Sequence, residues 1–286
     1  KTQFKERFNI SDLHSKVLTS IEESDTTARN IALQLLDRIL TPATFVDAVK
    51  TLLEFSKRGG PSDDFFGTIL RIGARDCYAL IEDFEWYLLV LAEIARSPDS
   101  DYAEQAASQF SDVAARVAEV RLCAVSLALG LLDRSPCSGA TTTAQTGDLS
   151  VPPQLAQSKE GSLDIAMPMV GACAWVIGEY NASFEKPAGP SFVKAVRALL
   201  AKHMLALEPA IQTQCIWAAL KLYMGSAKLD DASIVSELHE LLTSQLLAFA
   251  QSTHVDVSER ASFALHLAAF FGSDATKLEV GNPLFE

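Results

Sequence analysis

Asp25-Thr26-Thr27-Ala28-Arg29-Asn30-Ile31-Ala32-Leu33-Gln34-Leu35-Leu36-Asp37-Arg38-Ile39 sets Ala28, Ile31, Ala32, Leu35, Leu36 and Ile39 three and four positions apart. A helix turns once in about 3.6 residues, so this spacing gathers them on one face. The same period runs through Phe45, Val46, Val49, Leu52 and Leu53, and through Leu80, Ile81, Phe84, Tyr87, Leu88 and Leu91. It returns at Val120, Cys123, Ala124, Leu127, Ala128 and Leu131, at Phe192, Val193, Val196, Leu199 and Leu200, and at Ile234, Val235, Leu238, Leu241 and Leu242. No stretch sustains the period-two alternation of a half-buried strand, so the reading is all-α, with about twelve helices of roughly 12–20 residues. Thr41-Pro42, Gly59-Gly60-Pro61, Ser97-Pro98-Asp99, Pro187 to Pro190 and Glu208-Pro209 punctuate them. Asp256 with Glu259 reads as an acidic capping box.

A degenerate repeat links the helices. Arg29, Arg121 and Arg260 each stand near the start of a helix with Ala following, 92 and 139 residues apart, close to two and three units of about 46. Gln214, with Ala218 after it, lies 46 residues before Arg260. Helix pairs recurring every 40–47 residues or so are the mark of HEAT or armadillo solenoids, because one pair cannot bury its apolar face alone and must stack on the next. The expectation is one α-solenoid segment, 1–286. Residues 135–162, rich in Ser, Thr, Gly, Gln and Pro, are expected to form a flexible loop between halves 1–134 and 163–286.

Composition narrows the function classes. Apolar residues make up 49% and charged residues 21% of the chain, which excludes disorder as the main state. With 24 Lys+Arg against 36 Asp+Glu the net charge is −12, unfavourable for binding nucleic acid. The longest apolar runs, Leu122–Leu132 and Ile165–Ile177, fall short of the ~18 residues of a membrane span. The five cysteines, Cys77, Cys123, Cys137, Cys173 and Cys215, are widely spread, and four lie in apolar helical patterns where Cys acts as a small hydrophobe. That usage favours a reducing compartment. The chain opens without a signal sequence and without an initiating Met, as expected of a piece of a longer protein.

The search for chemistry is brief. Gly59-Gly60 lacks both the strand before and the Lys-Ser/Thr after that a phosphate loop needs. His14, His203, His239, His254 and His266 never fall three or four apart, so no helical metal pair forms. Asp63-Asp64 and Glu22-Glu23 are adjacent acids beside helix breaks, and adjacency does not converge two carboxylates in a pocket. Lys57-Arg58 closes a helix, where cations suit the macrodipole. The expectation is a non-catalytic chain without cofactor or metal.

Two motifs add a resemblance. Asp83-Phe84-Glu85-Trp86-Tyr87-Leu88-Leu89-Val90-Leu91-Ala92-Glu93-Ile94 resembles the Trp-Tyr helix of the large adaptins, and its Phe84-Glu85-Trp86-Tyr87 form is most similar to the delta-adaptins, the large chains of adaptor-protein complex three. Trp175-Val176-Ile177-Gly178-Glu179-Tyr180 resembles the Trp-x-x-Gly-Glu-Tyr motif of adaptin trunks in general. Phe110 to Val117, and Val120-Arg121 with Ala124-Val125, are again similar to the delta class, and the resemblance spans about residues 20–270. It implies the C-terminal half of an adaptin trunk, in a coat adaptor that sorts cargo at Golgi or endosomes toward the lysosome or vacuole. Implied partners are beta, mu and sigma chains, with a cytoplasmic location and membrane association only through the whole complex. In this family the sigma chain, the small GTPase and the dileucine cargo site belong mostly to the other trunk half, so no cargo or lipid residue is carried over. The alternative is a HEAT-type nuclear transport receptor or a regulatory scaffold outside coats. Read from the residues alone, Trp86 and Trp175 are expected to be buried helix–helix fillers, Gly178 a close-approach position, and Glu179 and Tyr180 polar partners across it.

Overall fold

A computed structural model describes residues 10–21, 25–58, 62–96, 102–133, 165–185, 189–227 and 231–278. The proposed loop 135–162 and Cys137 lie outside the described residues. Among the described residues there are twelve α-helices, three short 3₁₀ helices and no strand. The chain divides into two compact units, 1–110 and 111–286.

Unit 1 holds α1 (Ile10–Ile21), α2 (Thr26–Ile39), α3 (Pro42–Lys57), α4 (Ser62–Gly73), α5 (Phe84–Ile94) and the first half of α6 (Ala103–Arg116). Asp25 starts α2 by accepting a hydrogen bond from the Thr27 amide at 2.8 Å. Pro42, with its φ preset and no amide proton to satisfy, opens α3. Helix α1 packs on α2, α3 on α4 and α2 on α4, burying Leu36, Phe45, Leu52, Phe65, Ile69 and Leu70. On α2 the sequence spacing is only partly met: Ala32 and Leu36 are buried, but Ile31 and Leu35 are exposed and Leu33 is buried in their place.

One run departs from the periodic reading. Leu80 and Ile81 are buried yet not helical, because α4 ends at Gly73 and α5 begins only at Phe84. Between them Asp76, Cys77 and Tyr78 hold φ of 50°, 57° and 66°, three successive left-handed residues without a glycine. Such residues cost about 1–2 kcal/mol each, so packing must hold them there. Tyr78 supplies it: its ring is buried and meets Phe84 at 6.4 Å and Tyr87 at 6.2 Å. Cys77 is exposed in this turn, a correction to its placement in a helix.

Unit 2 continues with a 3₁₀ turn Ala118–Val120, α7 (Arg121–Leu132), α8 (Met167–Glu179), a 3₁₀ turn Asn181–Glu185, α9 (Phe192–Leu199), a 3₁₀ turn Lys202–Ala206, α10 (Pro209–Ser226), α11 (Ala232–Ala250) and α12 (Val255–Leu278). Helix α10 is its axis, packed by α8, α9, α11 and α12, which is why its Cys215, Ala219 and Leu222 are fully buried. Helix α12 starts at Val255, so Asp256 falls inside its first turn and not at the cap position, contrary to the capping-box reading. A carboxylate in that first turn still suits the helix dipole.

The repeat anchors share a physical task. Arg29 Nε donates to the Ile21 carbonyl at 3.3 Å, the last residue of α1. Arg121 does the same for α6, with Nε on Ala114 O at 3.2 Å and Nη2 on Ala115 O at 2.9 Å. A helix C-terminus leaves four carbonyls without intrahelical donors, and these side chains, reaching back from the next helix, satisfy one of them in α1 and two in α6. In α10 the work falls to Gln212, whose Nε2 donates to Leu205 O and Leu207 O, and not to Gln214. In α12 Ser258 donates to Ala250 O at 2.8 Å, while Arg260 lies over the Trp217 ring instead.

Candidate functional site

The sequence motifs fold into two polar–aromatic junctions, one in each unit. In unit 1, Asp83 caps α5 by accepting from the Trp86 amide at 2.9 Å, which fixes where the Phe84-Glu85-Trp86-Tyr87 turn begins. Glu85 is exposed in that first turn, Phe84 is half-buried, and Trp86 and Tyr87 are buried in the core. Phe45 lies edge-on to Trp86 at 6.2 Å and tilted against Tyr87 at 6.3 Å, geometry that aromatic quadrupoles favour. The Tyr87 ring is accommodated because Gly73 faces it: a Cβ there would overlap the phenol oxygen. Tyr87 then donates to Gln109 Oε1 at 2.6 Å, and Gln109 Nε2 donates to Leu70 O at 3.0 Å. Burial raises the Tyr87 phenol far above its ordinary range, so it is a permanent donor.

In unit 2, Gly178 brings α8 onto α10. A Cβ at Gly178 would stand 2.8 Å from the Ala218 Cα, so side chains at this crossing are excluded on one helix and minimal on the other. Glu179 and Lys221 close the crossing on the outside at 2.6 Å, both half-exposed. Tyr180, the residue that ends α8, lies under the Arg121 guanidinium, 4.7 Å from ring centroid, and meets Trp175 edge-on at 5.9 Å. Burial raises the Tyr180 phenol and Arg121 opposes that rise. Arg121 thus ties together the end of α6, the start of α7 and the end of α8. Trp175 is only half-buried, a correction to its expected burial: it meets Tyr180 edge-on at the margin of the junction while its neighbours Ala174 and Val176 fill the interior.

Sequence reading did not single out Asn181, whose Nδ2 donates to Gly178 O at 3.3 Å and so serves the end of α8. Nor did it single out Gly225, which gives Asn181 its space. The first follows the motif directly and its bond is local, whereas the second faces it from a helix far along the chain and is revealed only by the pairing of that turn with α10. Gly171, likewise, leaves room for the Gln214 carboxamide. Among the described residues no group of three or more His, Cys, Asp or Glu is placed to hold a metal ion. Both junctions set helix crossings by packing and hydrogen bonding, with the part-buried Arg121 guanidinium as the tie of the second.

Successive helices of this length, packed in pairs and locked through buried small residues, make this an α-solenoid of HEAT- or armadillo-like repeats. The family described as Adaptin N terminal region matches residues 5–269, and the chain belongs to that family. It is 28% identical over 258 residues to AP-3 complex subunit delta-1 of Bos taurus, covering 88% of this chain and 19% of that one. It is 25% identical to AP-3 complex subunit delta of Dictyostelium discoideum, covering 92% of this chain and 23% of the other. AP-3 complex subunit delta of Arabidopsis thaliana is also 25% identical, over 77% of this chain and 23% of its own length. The chain spans about a fifth to a quarter of these relatives.

Proposed function

We propose that the chain is a non-catalytic trunk segment of a large, delta-type subunit of a vesicle coat adaptor. It serves intracellular protein transport, the sorting of cargo from Golgi or endosomes toward the lysosome or vacuole. The observation that carries this reading is the match to the adaptin family along nearly the whole chain, together with delta subunits as relatives. The two junctions support it, since their Trp, Tyr, Gly and Arg residues are spent on holding helices in register. Beta, mu and sigma adaptor chains are the partners, met on the outer surfaces of the helix pairs. Among the described residues no helix is long and apolar enough to cross a membrane. The net charge of −12 disfavours autonomous adhesion to an anionic leaflet, so recruitment to the membrane belongs to the assembled complex. Co-expression of the full-length protein with beta, mu and sigma chains from the same source tests this: a complex that elutes as one peak carrying all chains is expected. A full-length protein that elutes alone refutes it.

A further inference from the structure

We draw no further inference here: the strongest candidate, the exposed apolar surface of α12 at Phe263, Phe270 and Phe271, with Phe263 meeting the Trp217 ring of α10 at 5.8 Å, carries nothing because no observation in the structure shows what covers it.

Discussion

Gly178 has no side chain because the Ala218 backbone occupies the space. Replacing it with Val forces two helix backbones apart, and overpacking of this kind costs about 1–3 kcal/mol. The two motif tryptophans separate in the same measurement. Trp86 is 5% exposed and packs on Phe45, so Trp86→Ala is expected to cost about 3–5 kcal/mol in denaturant unfolding. Trp175→Ala, at a half-buried position, is expected to cost less than half as much. Equal losses would show that the edge position of Trp175 is wrong. The cysteines give a second residue-scale outcome. Cys173 and Cys215 are buried; burial pushes the Cys215 thiol up to about 12 and raises Cys173 further, the neighbouring Cys215 adding to it. Cys77 is exposed. Iodoacetamide at pH 8, read by mass spectrometry, is expected to label Cys77 quickly and Cys173 and Cys215 only after unfolding. The sign for stability follows: both thiols keep their protons in the fold, while in the unfolded chain they ionise near their ordinary 9.0. Their contribution is thus whole below pH 9 and is lost as pH rises toward about 12. Rapid native labelling of Cys173 would place it outside the core.

Among the helices, Arg121 does more than open α7. It bonds the carbonyls ending α6 and covers Tyr180 at the end of α8. Arg121→Met keeps most of the apolar stem and removes the donors, and is expected to destabilise the chain by about 1–3 kcal/mol, the cost of leaving part-buried acceptors unpaired. Lys194→Met, which breaks the ion pair of an exposed Lys194 with Asp133, is the milder comparison at about 1 kcal/mol or less. An Arg121→Met variant as stable as the parent would mean water serves those carbonyls equally well. The helices themselves were legible because a 3.6-residue period survives in a single chain. Arg29 and Arg121 were legible as a repeat, but their task was not, since it depends on where the preceding helix stops. The turn at Asp76 to Tyr78 was hidden for a related reason: Leu80 and Ile81 are apolar at helical spacing, and the ring contacts of Tyr78 that help to hold the backbone left-handed are not visible in sequence. Gln212 displaced Gln214 because a shift of two residues leaves the spacing of a degenerate repeat nearly intact while turning the side chain by about 200° around the helix.

Across the whole chain, the fold class and family followed from period and motif, while the junction partners Lys221 and Ala218 needed the α8–α10 pairing. In the proposed role the chain works by assembly with other chains. Affinity capture of the full-length protein from its own cells, quantified by mass spectrometry, is the sharpest check on that role. Beta, mu and sigma adaptor chains are expected in near-equal amounts with the bait. Recovery of a small GTPase, a phosphatase or transport cargo at stoichiometric level, with no adaptor chain present, would refute it.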